Sequence, residues 1–182
     1  MKAYEGVATT GTAELLARAR SGEREAFTEL VERHHAELVR IAYAITGDLD
    51  SARDSAQLAW IKAWQRLPSV REPERLRAWL IAIAANEARQ HLRAHRRRLV
   101  REIAPPPQDE LPGQTTMTSA DRLDLDAALV RLEPADRVLL AMRYLAGLTA
   151  EEIGVATGLT ASGVRSRLSR LIARLREDLD HE

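Results

Sequence analysis

Cysteine is absent from the 182-residue chain. That excludes disulfides and thiolate metal sites and suits a reducing compartment. Aromatic residues make up only 4%, while Ala, Leu, Arg and Glu dominate, a balance that favours a folded, helical, soluble protein. No apolar run approaches the ~20 residues of a membrane span, and no signal-peptide pattern opens the chain, so a cytoplasmic protein is expected. The formal net charge is zero, which argues against a uniformly basic nucleic-acid coat and makes the distribution of charge the informative quantity. Lysine is nearly missing: only Lys2 and Lys62 stand among the 27 basic residues. Arginine's planar fork suits phosphates and guanine edges, although codon composition alone can produce the same bias. Strand-like alternation of useful length is missing too, so the chain reads as all-α.

The apolar positions that are present recur at helical spacing. A first helix candidate opens after Thr12 with AELLARAR and stops at Ser21 and Gly22. Phe27, Leu30, Val31, Leu38, Ile41 and Ile45 outline a second, ended by Gly47, a good C-cap residue. Ser51 starts a third, closed by Pro68. Pro73 suits the first turn of a fourth, with Leu76, Trp79, Leu80 and Ile83 on one face, which runs on into HLRAHRRR. Residues 101–120, REIAPPPQDELPGQTTMTSA, then break the pattern with Pro and Gly and read as a linker. The expected organisation is an N-terminal segment over 1–24, a helical domain over 25–100, the linker, and a small helical domain over 121–182.

The last of these carries the clearest motif. Thr149 followed three residues later by Glu152 forms a capping box, and the short helix AEEIGVAT that it opens stops at Gly158. A turn through Leu159 and Thr160 leads to ASGVRSRLSRLIARLRE, with apolar teeth at Val164, Leu168, Leu171 and Leu175. Helix, glycine-containing turn and second helix make a helix-turn-helix, whose second helix lies in the major groove. Arg165, Ser166, Ser169 and Arg170 fall away from the leucines in the N-terminal half, the part that reaches base edges. An ordinary helical hairpin with solvated arginines is the alternative.

The segment LEPADRVLLAMRYLAGLTAEEIGVATGLTASGVRSRLSRLIARLRE resembles region 4 of bacterial extracytoplasmic-function sigma factors of the sigma-70 family. AFTELVERHHAELVRIAYAITGDLDSARDSAQLAWIKAW with LRAWLIAIAANEARQHLRAHRR resembles their region 2. The resemblance covers most of residues 25 to 178. It implies two small helical domains that bind core RNA polymerase, recognise minus-thirty-five and minus-ten promoter elements and aid strand opening. In the family the GD...A..D..Q helix packs against the clamp helices of the polymerase's largest subunit. The matching positions are Gly47, Asp48, Ala52, Asp54, Gln57, Trp60, Ile61 and Trp64, of which Trp64 is expected in the core and Asp54, Gln57 and Ile61 at the contact. Leu58 stands where a glutamate is usual and Arg53 where an acidic residue is usual, which makes that contact less charged.

The resemblance assigns minus-ten contacts to Arg71, Arg77, Asn86, Arg89, Arg93, Arg96 and Arg97, with the loop Ser69 to Glu72 capturing an extruded base. Leu76 replaces a frequent Phe, Ile81 a frequent Tyr and Gln90 a frequent Asp, so a base pocket here is expected from aliphatic and Arg groups. Minus-thirty-five contacts fall to Arg143, Gly163, Arg165, Ser166, Ser169 and Arg170. Gly163 stands where a phosphate-binding Thr is usual and Ile172 replaces a frequent Arg. An anti-sigma partner is implied by the family as well.

No Ser-His-Asp, Cys-His, paired-carboxylate or P-loop arrangement appears, so no enzymatic activity and no cofactor are expected. Glu87, His91 and His95 share a helical face, but surrounding arginines would repel a cation, so no metal site is expected. Two rival readings stay open from sequence: a helix-turn-helix regulator acting on duplex DNA without polymerase, and an interaction protein that keeps the polymerase contact but has lost promoter reading.

Overall fold

The computed structural model describes the backbone of residues 5–99 and 132–180, and the side chains of 11–95 and 132–177. The expected linker and the side chains of Arg96 and Arg97 lie outside these ranges. Among the described residues every regular element is helical, and the all-α expectation holds.

Helix α1 spans Glu5–Arg20, α2 Arg24–Thr46 and α3 Leu49–Arg66. Two single 3-10 turns, Leu67–Ser69 and Pro73–Arg75, lead into α4, Leu76–Leu99. The apolar stripe of α2, Leu30, Leu38, Ile41 and Ile45, is fully buried and forms the hub on which α1, α3 and α4 pack. Each such side chain contributes about 1.5–3 kcal/mol by leaving water. The faces that α3 and α4 turn inward are largely alanine: Ala52, Ala56, Ala59 and Ala63 on one, Ala84, Ala85 and Ala88 on the other. Short side chains let these helices approach closely. Ser55, the buried polar residue among them, satisfies its hydroxyl on the Ser51 carbonyl at 2.6 Å.

Helix starts differ from the sequence reading in three places. α1 begins at Glu5 rather than after Thr12, while its described buried side chains, Leu15, Leu16 and Ala19, all follow Thr12. α3 begins at Leu49 because Asp48, not Ser51, is its cap: the carboxylate accepts the Ser51 N–H at 2.7 Å, a contact worth about 1 kcal/mol. Those hydrogen bonds hold the Asp48 carboxyl below its ordinary range, with His91 and His95 nearby acting in the same direction. Pro73 opens a 3-10 turn, and the α-helix proper starts at Leu76.

His34 occupies the stripe position between Leu30 and Leu38 and is partly buried. Burial pushes its imidazole below the usual 6.5; Glu37 opposes this, and Arg77 and Arg33 reinforce it. A histidine held neutral in the fold takes up its proton more readily when unfolded. The associated stability is therefore complete above about pH 6.5 and is lost as pH falls below it. Thermal melts should show the midpoint dropping between about pH 7 and 5.5, and His34→Leu should flatten that slope. An unchanged slope in the variant would remove His34 as its source.

The second half consists of α5, Pro134–Leu140, a π turn over Ala141–Leu145, then α6, Ala150–Thr157, and α7, Ala161–Asp180. The helix that opens at Pro134 thus changes winding at Ala141, where the Ala146 N–H returns to the Ala141 carbonyl five residues back. Leu139, Met142, Leu148, Ile153, Val164, Leu168, Leu171 and Leu175 form its core. This half does not stand apart from the first. α5 and α6 lie against α4, and α5 with the π turn lies against α2.

Candidate nucleic-acid interface

The helix-turn-helix is built from three local devices. At the start of α6 the Glu152 N–H donates to the Thr149 hydroxyl at 3.2 Å, while the Glu152 carboxylate accepts from the Thr149 N–H at 2.8 Å. At its end Gly158 sits at φ 77°, a left-handed conformation glycine adopts without a Cβ penalty, and sends its N–H to the Gly154 carbonyl at 2.8 Å. The turn then folds back so tightly that a Cβ on Gly154 would stand 2.7 Å from the Leu159 carbonyl oxygen. α7 starts with the Thr160 hydroxyl accepting the Gly163 N–H at 3.1 Å.

Along α7, Val164, Leu168, Leu171 and Leu175 are buried, and Arg165, Ser166, Ser169 and Arg170 are all exposed. The leucines take the inner face, which leaves these four at the surface. Arg165 is tethered to Glu151 at 3.0 Å. Hydrogen bonding from its own backbone and from Arg165 holds the Glu151 carboxyl below its ordinary range. Gly163 is partly buried, and a Cβ there would meet the capping Thr160 hydroxyl at 3.0 Å. Arg143 is exposed and donates to the Leu148 carbonyl at 3.0 Å. Arg167, which the sequence reading passed over, points inward to Asp136 at 2.6 Å and ties α7 to α5. Its place beside Leu168 and Leu171 on the helix was the available signal.

The residues assigned to the minus-ten strand are more scattered. Ser69, Val70, Arg71, Glu72, Arg75 and Trp79 line an open pocket of about 240 Å³, with Glu72 and Arg75 ion-paired at 2.7 Å. Leu76 and Ile81 are buried in the core and take no part in it. The expected aliphatic and Arg groups are present in it as Val70, Arg71 and Arg75, with Trp79 as an added aromatic surface; of the replaced positions, Leu76 and Ile81 face inward and Gln90 is exposed. Further along α4, Arg89 donates to Asn86 at 2.8 Å and keeps a buried Nε with no hydrogen-bond partner, and Arg93 is exposed. Arg77 sits apart from the pocket, held by Glu37 and by the Ala146 carbonyl of the second half. Arg96 and Arg97 lie outside the described side chains.

On α3, Asp54, Gln57, Leu58, Ile61 and Trp64 form one outward strip, with Leu58 46% and Ile61 50% exposed. Trp64, expected in the core, is 39% exposed and leans edge-on against Phe27. Trp60 is the buried one, its indole N–H donating to His35 Nδ1 at 3.2 Å. Residue 60 shares the Ala52, Ala56, Ala59 and Ala63 face, whereas residue 64 has rotated to its rim. Ala52 is buried, and Asp48 is engaged as the cap of α3. Glu87 turns away from His91 and His95 into the core, where both its oxygens accept from Lys62 at 2.6 Å. Among the described residues no group of three metal-ligating side chains converges.

Comparison with known families matches residues 30–98 to sigma-70 region 2 and residues 122–175 to sigma-70, region 4. The ECF RNA polymerase sigma factor SigL of Mycobacterium tuberculosis is 30% identical over 163 residues, covering 87% of this chain and 91% of SigL. The chain belongs to the extracytoplasmic-function sigma factors. A further relative is the probable RNA polymerase sigma factor RfaY of Xanthomonas campestris, 31% identical over 90% of this sigma factor. That match spans only 43% of RfaY, which is the longer protein. The co-crystal structure of the sigma factor RpoE with the anti-sigma factor NepR from Bartonella quintana superposes with a TM-score of 0.69 at 25% identity, over 85% of this chain and 96% of RpoE. α1 of this sigma factor lies ahead of the region 2 match.

Proposed function

We propose that this sigma factor joins core RNA polymerase through the outer strip of α3, reads the minus-thirty-five element with α7 and captures the opened minus-ten strand with the Ser69 to Trp79 pocket and the arginines of α4. The observation that carries the reading is the division of α7 into a buried leucine face and an exposed face of Arg165, Ser166, Ser169 and Arg170, in a chain whose other half matches region 2.

On α3, Leu58 and Ile61 offer apolar area to the clamp helices of the largest subunit, with Asp54 and Gln57 at the rim. In the pocket, Trp79 offers a stacking surface and Arg71 a cation for the backbone of a single strand. The protein works by placement and by preferential binding of opened DNA, without catalysis of its own and without a cofactor. Among the described residues no helix is long and apolar enough to cross a membrane. We place its action in the cytoplasm, where polymerase is, and assign it an anti-sigma regulator such as the partner seen on RpoE.

Run-off transcription from genomic fragments with purified core polymerase tests the whole reading; operator binding without polymerase would instead establish a duplex regulator. Arg165→Ala tests the recognition face. Loss of a base-edge contact should cost about 1–3 kcal/mol and relax promoter choice. Unchanged affinity and unchanged choice would move the face elsewhere on α7.

A further inference from the structure

The loop that carries the base pocket does little to hold its own shape. Residues 70–72 lie between the two single 3-10 turns, each closed by a backbone hydrogen bond: the Val70 N–H donates to the Leu67 carbonyl at 3.0 Å and the Arg75 N–H to the Glu72 carbonyl at 3.1 Å. Turns of this kind have poor hydrogen-bond geometry, so such a loop takes its shape from what it rests on. Leu67 and Val70 are buried beneath it, whereas Ser69, Arg71, Glu72 and Arg75 stay exposed around the pocket. The first turn is continuous with α3 and the second leads directly into α4. α1 is continuous with neither, yet it packs against both turns.

α1 is itself held by the rest of the first half. Its described side chains are amphipathic, with Leu15, Leu16 and Ala19 buried and Glu14, Arg18 and Arg20 exposed. Gly22, at φ 94°, turns the chain into α2; the Glu23 N–H returns to the Arg18 carbonyl at 3.2 Å, and Arg18 Nε donates to the Glu23 carboxylate at 2.9 Å. α1 thus touches both α2, the hub of this half, and the two turns that frame the pocket. It lies ahead of the stretch that matches region 2, which begins at residue 30.

We propose that α1 braces the base pocket, with Leu15, Leu16 and Ala19 as positioning residues that hold the loop from Leu67 to Arg75 in the shape that receives an unstacked base. Without the brace the loop must be ordered by the strand as it binds, and that ordering lowers affinity. The purpose given to the loop rests on the sigma-factor reading, but its rigidity is measurable on the free protein.

The absence of cysteine allows a single reporter in the full chain. A nitroxide on Arg71→Cys, at the pocket, and a control on Gln65→Cys, on α3, occupy exposed positions and report local mobility through the width of their electron-spin-resonance lines. Leu16→Ala, at a residue 2% exposed, should sharpen the loop lines and leave the α3 lines and the helical circular dichroism unchanged. Equal lines in the parent and a folded Leu16→Ala overturn the brace. Equal sharpening at both labels also overturns it, because that is general loosening. Should Leu16→Ala not fold, Leu16→Val is read with the same two outcomes.

Holoenzyme made with the unlabelled chain gives the second measurement. On a promoter found by run-off transcription, single abasic sites are placed in turn along the non-template minus-ten strand, and opening is read by permanganate reactivity. One of these sites should reduce opening by the parent roughly tenfold, the size expected for one lost base stack. Leu16→Ala should open the intact strand less well by about the same factor, and the abasic site should then add little. Equal losses on intact and abasic strands, leaving their ratio as in the parent, overturn the proposal. If no abasic site affects the parent, the pocket reading fails and the proposal with it, a result distinct from unchanged loop lines in Leu16→Ala, which remove the brace alone.

Discussion

Gly154→Val should destabilise the C-terminal half by about 3 kcal/mol, the upper part of the range for forcing atoms into a packed site. Helix propensity alone predicts the opposite sign for the smaller change, because Ala is favoured over Gly by about 1 kcal/mol in a helix interior. The two effects meet at one atom. A Cβ on residue 154 would stand 2.7 Å from the Leu159 carbonyl oxygen, which belongs to the backbone of the turn and cannot swing aside as a side-chain tip would. That turn also carries the Gly158 and Leu159 N–H groups back to the Gly154 carbonyl, so opening it loosens both hydrogen bonds. Denaturant melts of Gly154→Ala and Gly154→Val beside the parent separate the cases. A stabilised alanine variant would show that the turn relaxes at no cost. The valine variant should also lose minus-thirty-five binding, because the turn sets how α7 is presented.

Lys62→Met should cost about 3 kcal/mol of folding stability, the low end for removing one partner of a buried pair, since the lysine itself stays partly in water. Glu87 is 5% exposed and both its oxygens accept from the Lys62 ammonium at 2.6 Å. Methionine keeps most of the lysine's stem but offers no donor, leaving a carboxylate shut between α3 and α4. The double variant Lys62→Met with Glu87→Met should recover most of the loss, because a buried ion pair exchanged for apolar side chains of similar size is often neutral or better. Equal destabilisation of the single and double variants would mean that packing, not the stranded charge, sets the cost. Urea denaturation with a fixed m-value is the appropriate readout.

What the sequence made legible was what depends on neighbours within a few residues. The leucine teeth of α7, the capping box at Thr149 and the left-handed stop at Gly158 all follow from helical period and local backbone chemistry, and they stand where that chemistry puts them. So do the exposed positions of Arg165, Ser166, Ser169 and Arg170. What it concealed depends on partners far along the chain. The Lys62–Glu87 pair spans 25 residues and the Arg137–Ile45 contact 92, and no periodicity marks either. Trp64, expected in the core, stands at its rim, because spacing alone does not say how deeply each of two tryptophans one turn apart is buried. Leu76 and Ile81 misled for a related reason. Both stand where the resemblance puts a frequent aromatic, and burial on the inner face of α4 makes them part of the core.

The alanine seam between α3 and α4 bears on how the two outer surfaces of the first half are linked. Methyl groups packed at close range have few alternative rotamers and little slack, and protein interiors of this density pass strain on instead of absorbing it. α3 and α4 pack against each other, with the Leu58 and Ile61 strip exposed on the first and Arg93 exposed on the second. On the proposed reading, the strip offered to polymerase and the arginines offered to the separated strand therefore belong to one packed pair of helices.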